Sequence, residues 1–346
     1  MTAQHNRVVR ITKFGGPEGL EIAEAPMPTA GPGEVRVRVL ASGLEYTDVV
    51  IRRHLYPQTL YLRPPFVMGY EVVGEIDQVG AGVTGFQVGD VVADMTVTGS
   101  NAAFRTLRAA DLTRVPAGVD PAEAAALILS WTTAYQLLHR VAQVQPGQKV
   151  LVLGAAGAVG QALLTLGGLS GVKLWGAARQ EHAGVVHDLG ATPLDYEHDA
   201  IGGVLPGGFD VVFDGVGESD FAHSLQALRP GGVLCAYGYS ASVQERQRLV
   251  PLLLRMARRL IWTSLQSWLP RGKHIRVYSI NLMRARHPDW FRQDLQALLG
   301  MLANRKIRPR VAERIPFEQV SDAHRRLEEG HLEGKLVLCP DLPMAA

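Results

Sequence analysis

The chain has 346 residues, 47% of them hydrophobic and 20% charged, with a formal net charge of +2. That length suits roughly two domains with a sizeable core. The basic stretches, such as Arg255–Arg259 and Arg305–Arg310, are interrupted by apolar residues and give no ground for a nucleic-acid surface. Two distant cysteines, Cys235 and Cys339, exclude a disulfide framework and fit the cytoplasm; the polar start Met1–Arg10 predicts no secretory leader. No apolar run reaches the roughly 20 residues that cross a bilayer, so no membrane partner is expected.

The first third reads as β-structure. Val35-Arg36-Val37-Arg38-Val39 alternates apolar and basic residues, the period of a half-buried strand. The turn residues Pro28, Gly31, Pro32 and Gly33 precede it. Tyr70–Val79 is a second strand, broken by Gly80-Ala81-Gly82, and Phe86–Val92 is a turn followed by a short strand. Short strands punctuated by glycine suggest a small barrel. Asp120-Pro121-Ala122-Glu123 reads as an N-cap with proline at the first helical position, predicting a helix over Ala124–Arg140.

From Lys149 the pattern alternates. Strands are predicted at Lys149–Leu153, Lys173–Ala177, Phe209–Asp214 and Gly232–Tyr237, with a helix over Val159–Leu169. Continuous apolar strands alternating with helices indicate a parallel sheet covered on both faces. The tail ends in a predicted strand, Lys335–Leu338.

The strand 149–153 runs directly into Gly154-Ala155-Ala156-Gly157-Ala158-Val159-Gly160, which opens a helix. A strand–glycine turn–helix of this kind places backbone N–H groups and the positive end of the helix dipole at a pyrophosphate. Gly157 lets the backbone approach the phosphates, and Gly160 lets the helix pack on the strand. The fit is A-x-G-x-x-G, with Ala155 where the full pattern has its first glycine. After the next strand an NAD-selective site would place an acidic residue to accept from the ribose 2′-OH. Arg179 stands there instead, suited to a 2′-phosphate, so the expected cofactor is NADPH.

The chain resembles the medium-chain dehydrogenase/reductase superfamily, in its zinc-free quinone oxidoreductase branch. The likeness runs through Lys13–Glu18, Pro32–Val35, Gly69–Gly74, Val88–Val92, Thr132–Tyr135, Pro146-Gly147, Ala155–Gly160, Leu228–Gly232 and Gly334–Leu338. It implies an α/β fold: a Rossmann doubly wound parallel sheet inserted in a GroES-like β-barrel domain, with the active site in the cleft between them. On that scheme residues 1–126 begin the GroES-like catalytic domain, 127–275 form the NADP-binding domain and 276–346 complete the first. Family members are commonly oligomers, and a homodimer acting on a small-molecule substrate is expected. Zinc-dependent relatives carry a cysteine ligand and a Gly-His-Glu triplet; here Glu45 and Gly69-Tyr70-Glu71 stand at those places. Zinc needs three or four convergent ligands, so no metal is expected. Quinone-reductase relatives often carry asparagine and tyrosine where this chain has Glu45 and Val50, and only Asp48 is kept.

The resemblance also implies the chemistry-bearing residues. Tyr56 sits where enoyl-thioester reductase relatives carry a tyrosine acid; a packing role is the alternative. Tyr46 and Tyr70 fall at cleft-lining positions. Glu45 is expected to accept a hydrogen bond from Tyr46 or Tyr70, or to hold a water, while Glu71 reads as structural and His54 as exposed. Thr133 falls on the nicotinamide side and Tyr196 near the ribose or phosphate. Gly215, Gly238, Tyr239 and Ser240 end sheet strands at the ligand-binding edge, and Tyr278, Ser279 and Asn281 close over the nicotinamide. The stretch 241–275, bearing Trp262 and Trp268, is expected to line a substrate pocket, a subunit contact or the core. The function expected is reduction of an activated C=C bond in a quinone, enone or enoyl-type substrate by NADPH. Zinc-free carbonyl reduction and a non-catalytic NADPH-binding role are the alternatives.

Overall fold

A computed structural model describes residues 5–196, 201, 203–217, 221–238, 272–330 and 334–342. The chain divides into two compact units, Met1–Thr132 with Asp289–Ala346, and Thr133–Pro288.

The first unit opens with β1 (His5–Ile11), β2 (Leu20–Pro26), β3 (Glu34–Leu44), α1 (Tyr46–Arg52) and β4 (Phe66–Val67). It continues with β5 (Glu71–Val79), β6 (Val91–Met95), β7 (Phe104–Arg108), β8 (Thr113–Arg114) and α2 (Pro121–Ala126). The alternation in β3 holds. Val35, Val37 and Val39 are fully buried, and Arg36 and Arg38 reach across to Asp77 and Glu75 of β5. The core behind them adds Val72, Ile76, Val92 and Leu107. The second strand begins at Glu71, one residue later than the sequence pattern suggests, because Gly69 takes φ +108° and turns the chain just before Tyr70.

The cap predicted at Asp120 is present: its carboxylate accepts from the N–H groups of Ala122 and Glu123, both at 3.0 Å. The long helix predicted over 124–140 is not regular. The α-helical ladder stops at Ala126, and Leu127–Trp131 winds as a π-turn. The Thr132 hydroxyl donates back to the Leu127 carbonyl at 3.0 Å, a local bond that competes with the ladder. Such turns commonly mark functional positions.

The second unit takes in most of α3 (Thr132–Gln136), then β9 (Lys149–Leu153), α4 (Ala158–Leu169), β10 (Lys173–Ala178), α5 (Ala183–Asp188), β11 (Thr192–Asp195), β12 (Phe209–Asp214), α6 (Ala222–Ala227), β13 (Leu228–Ala236), β14 (His274–Val277) and α7 (Ile280–Arg286). The six strands pair in parallel in the order β11-β10-β9-β12-β13-β14. That is the doubly wound Rossmann order, with the direction of winding reversing at β9. Val150, Leu151, Val152, Val212 and Phe213 are fully buried, as expected of strands with no solvent face.

After α8 (Pro288–Ala303) the chain adds β15 (Val311–Ile315), α9 (Val320–Glu329) and β16 (Lys335–Leu338). Strand β16 pairs antiparallel with β3 and parallel with β15, so residues more than 290 apart in sequence share the first unit's sheet. This is the GroES-like β-domain built from both ends of the chain. No helix among the described residues is long and apolar enough to cross a membrane.

Candidate active site

In the second unit, β9 delivers the chain to Gly154, whose φ of +72° requires glycine. The Gly157 N–H returns to the Gly154 carbonyl at 3.0 Å, and Gly157 caps the 12-residue α4. The two later glycines of the pattern do different work. A Cβ at Gly160 would lie 2.3 Å from the Gly154 oxygen and 2.7 Å from the Ala155 Cα, so the helix packs on the turn only without one. A Cβ at Gly157 would meet only the Gly154 oxygen, at 3.3 Å, and Gly157 is exposed. Its bareness serves whatever approaches the helix end.

Ala155 is fully buried. A Cβ on Gly176 of β10 would lie 2.8 Å from the Ala155 methyl. Glycine at 176 thus makes the room that glycine at 155 would otherwise supply, which accounts for the A-x-G-x-x-G form. Ala156, Ala158 and Val159 are half-buried on the same turn, and the Gln161 amide braces it by donating to the Ala156 carbonyl at 2.7 Å. The cradle fits a dinucleotide pyrophosphate.

Arg179 follows β10, exposed, with a loose ion pair to Glu181 at 3.8 Å. Along the same sheet edge, buried Asp214 accepts from the N–H groups of Val216 and Gly217 and from the Ser224 hydroxyl, at 2.8, 2.9 and 2.6 Å. Burial pushes its carboxyl above the usual range, against the pull of those hydrogen bonds. Gly215 and Gly238 pack together: a Cβ on Gly238 would lie 2.4 Å from the Gly215 oxygen, and one on Gly215 would enter the Tyr237 ring. Tyr278 follows β14, and its hydroxyl donates to Gln136 at 2.8 Å. Thr133 is buried in α3, and half-buried Tyr196 packs on the core cluster around Leu153 and Ala177. Tyr239, Ser240, Trp262 and Trp268 lie outside the described residues.

In the first unit the expected partners of Glu45 are replaced by others. Its Oε1 accepts from the Ser130 hydroxyl and from the Lys335 ammonium. Lys335 also pairs with the Glu71 Oε2 at 2.5 Å, and the other Glu71 oxygen accepts from the Leu129 N–H, in the π-turn, at 2.7 Å. Neither a tyrosine nor a water is needed to account for Glu45. The Lys335 and Glu71 side chains are 3% and 0% exposed. A Cβ on Gly43 would lie 1.9 Å from the Glu71 Oε2, so glycine at this β3 position makes room for the pair. Beside the cluster, buried Asp48 accepts from the Glu45 N–H at 2.9 Å.

Two carboxylates and one ammonium leave an excess negative charge in a dry site. Burial, reinforced by the Glu45 charge, holds the Glu71 carboxyl above its usual range against the attraction of Lys335. Burial raises Asp48 to about 7, opposed by the Glu45 N–H and Lys335. For Lys335 burial acts downward, and the two carboxylates overcome it and hold the ammonium above its usual value. Neither Lys335 nor Ser130 was legible as a site residue. The signal available was a lysine opening an otherwise apolar strand.

Tyr56 precedes Pro57, which favours extended backbone; its φ and ψ are −86° and 115°. Its carbonyl accepts from the Thr59 N–H at 3.0 Å and the Thr59 hydroxyl at 3.2 Å. The Tyr56 and Tyr70 hydroxyls lie 2.7 Å apart, with the rings edge to face at 74°. Tyr70 is fully buried and Tyr56 half-buried. Half-buried Tyr46 has its phenol raised by burial, with Arg53 opposing and Glu328 reinforcing the shift. His54 is half-buried rather than exposed: its ring stacks on Phe14 at 4.0 Å.

The sequence matches the Alcohol dehydrogenase GroES-like domain family over residues 31–119 and the Zinc-binding dehydrogenase family over residues 189–338. The Synaptic vesicle membrane protein VAT-1 homolog of Rattus norvegicus is 31% identical, over 96% of this chain and 84% of its own. A 2-haloacrylate reductase from a Burkholderia species is 32% identical, over 69% of this chain and 75% of its own. A Quinone oxidoreductase of Pseudomonas aeruginosa is 29% identical, over 96% and 99%. The mycobacterial protein Rv1454c, solved in complex with NADPH, superposes with a TM-score of 0.80 at 29% identity, over 97% of this chain and 100% of that one. The chain therefore belongs to the medium-chain dehydrogenase/reductase superfamily, in its zinc-free quinone oxidoreductase-like branch, and is an oxidoreductase that uses a nicotinamide cofactor.

Proposed function

We propose that the protein reduces an activated C=C bond of a small enone, quinone or enoyl-type substrate with NADPH and without zinc. The observation that carries this reading is a dinucleotide cradle in the second unit and, in the first, a phenol pair where zinc-dependent relatives carry a metal ligand. At the two positions where zinc-dependent relatives carry cysteine and histidine stand Glu45, which is bound to Lys335, and Tyr70, which is bound to Tyr56. The Lys335 ammonium already serves as counter-ion to Glu45 and Glu71. Relatives named as a 2-haloacrylate reductase and a quinone oxidoreductase support the substrate class.

When bound, the nicotinamide supplies a hydride. The chain's own residues then have three tasks. The turn 154–160 holds the pyrophosphate at the N-terminus of α4. Arg179 takes the 2′-phosphate with charge-assisted hydrogen bonds. Tyr56 donates its proton to the oxygen of the enolate that forms when the β-carbon accepts hydride.

Two results are expected. NADPH supports turnover at a lower KM than NADH, and Arg179→Ala raises the KM for NADPH about tenfold while leaving that for NADH unchanged, the loss of about one charged hydrogen bond. Tyr56→Phe lowers kcat about tenfold or more, on the scale of general acid catalysis. An NADPH-oxidation screen over quinones, enones and aldehydes tests the whole reading; oxidation with aldehydes alone, or with none of the three, rejects it.

A further inference from the structure

We propose that Asp214 is a positioning residue for the nicotinamide cofactor: its buried carboxylate locks the Val216-Gly217 turn against the phosphate turn at Gly154, forming a second wall of the cofactor seat. This rests on the reading of residues 154–160 as the pyrophosphate turn.

Asp214 closes β12, which pairs in parallel with β9 so that Asp214 stands opposite Leu153. The chain therefore leaves the two strands side by side, at the point where the winding reverses and doubly wound sheets take their ligands. Arg179 follows β10, on the other flank of β9. The β12 turn thus borders the half of the cofactor that Arg179 does not.

One side chain holds that turn. The Asp214 Oδ1 accepts from the Val216 N–H at 2.8 Å and the Gly217 N–H at 2.9 Å, and Oδ2 accepts from the Ser224 hydroxyl of α6 at 2.6 Å. Asp214 and Ser224 are each 1% exposed. Among the described residues no cation pairs with Asp214, so these hydrogen bonds alone answer the cost of burying its charge. Gly217 takes φ +70°, which favours glycine. Behind the turn, the Tyr237 N–H donates to the Asp214 carbonyl at 3.0 Å, and a Cβ on Gly215 would lie 2.6 Å from the Tyr237 ring. On the phosphate side, the Val216 Cγ2 would lie 3.3 Å from a Cβ on Gly154. A shift of the β12 turn is therefore felt at Gly154.

The test is calorimetric titration of the full chain with NADPH and, separately, with adenosine 2′,5′-bisphosphate, which carries the 2′-phosphate and no nicotinamide. Asp214→Ala is expected to raise the dissociation constant for NADPH about tenfold, the worth of about one hydrogen bond to a charged group, and to leave that for the bisphosphate within about twofold. Asp214→Asn is expected to bind both like the wild type. Its amide oxygen accepts from the two N–H groups, and its NH2 donates to the Ser224 oxygen. A carboxylate that only stabilised the sheet would lower the melting temperature without separating the two ligands. Unchanged NADPH affinity in Asp214→Ala, or an equal loss for both ligands, overturns the proposal. If Asp214→Ala does not fold, Val216→Ala keeps the backbone hydrogen bonds and trims the methyl groups facing Gly154. The same split between ligands is expected there, and wild-type NADPH affinity overturns the proposal. Wild-type NADPH affinity in both Gly157→Ala and Gly160→Val would instead overturn the reading of the phosphate turn.

Discussion

Replacing Lys335 by methionine is expected to lower the unfolding free energy by about 3–5 kcal/mol at pH 8, the usual loss when one partner of a buried ion pair is removed. Methionine keeps the length of the apolar stem, so the loss reports the charge. Lys335 is the only ammonium contacting Glu45 and Glu71 among the described ion pairs, and its side chain is 3% exposed, so water does not stand in for it. The effect has a predicted pH dependence. A carboxyl whose folded pKa lies above its unfolded value of about 4 contributes stability that is full below that value and lost as pH rises through the folded one. Asp48, at about 7, and Glu71, also raised, therefore weaken the fold between acid and mildly alkaline pH. Removing Lys335 takes away an attraction that lowers both, so their folded values rise further. The deficit of Lys335→Met should then be smaller at pH 5 than at pH 8, and adding Glu71→Gln should restore part of it. Denaturant unfolding at both pH values measures this. A loss below about 1 kcal/mol at pH 8 would show that Lys335 is dispensable to the cluster.

Gly160→Val should weaken NADPH binding about ten- to a hundredfold. Overpacking typically costs about 1–3 kcal/mol, and each tenfold in affinity is about 1.4 kcal/mol. Here the strain falls on the phosphate turn itself, because the added atoms meet the Gly154 oxygen and the Ala155 backbone. Gly157→Ala provides the contrast. Its methyl meets only the Gly154 oxygen, at 3.3 Å, so the melting temperature should barely move while NADPH affinity falls. Fluorescence titration with NADPH, alongside thermal unfolding, separates the two. Unchanged affinity in both variants would mean that the turn does not hold the pyrophosphate.

The second unit was the more legible in the sequence. Its strands are buried on both faces, so each prints a continuous apolar run, and the β9 turn prints its glycines at positions where backbone and neighbours demand them. The first unit announced its β3 alternation because one face of that strand is buried and the other carries Arg36 and Arg38. What escaped was long-range or local in ways no periodicity records. Lys335 and Glu45 lie 290 residues apart and meet only because β16 pairs with β3. The π-turn at Leu127–Trp131 looks like ordinary helix in its apolar spacing; the Thr132 back-bond that accompanies it is a side-chain effect. Tyr56 and Tyr70 each stand out through family likeness, but their hydroxyl contact depends on the turn at Gly69 and the loop held by Thr59. The sequence points Glu45 toward Tyr46, Tyr70 or a water because it gives no sign that an ammonium and the Ser130 hydroxyl already engage it.

The most direct test of the proposed reaction follows the hydride. The protein is incubated with NADPH deuterated at the transferable C4 position and an α,β-unsaturated ketone, and the product is examined by NMR. The account predicts a saturated ketone with deuterium on the carbon β to the carbonyl. An allylic alcohol with deuterium on the former carbonyl carbon, or oxidised cofactor with no label in the product, would contradict it.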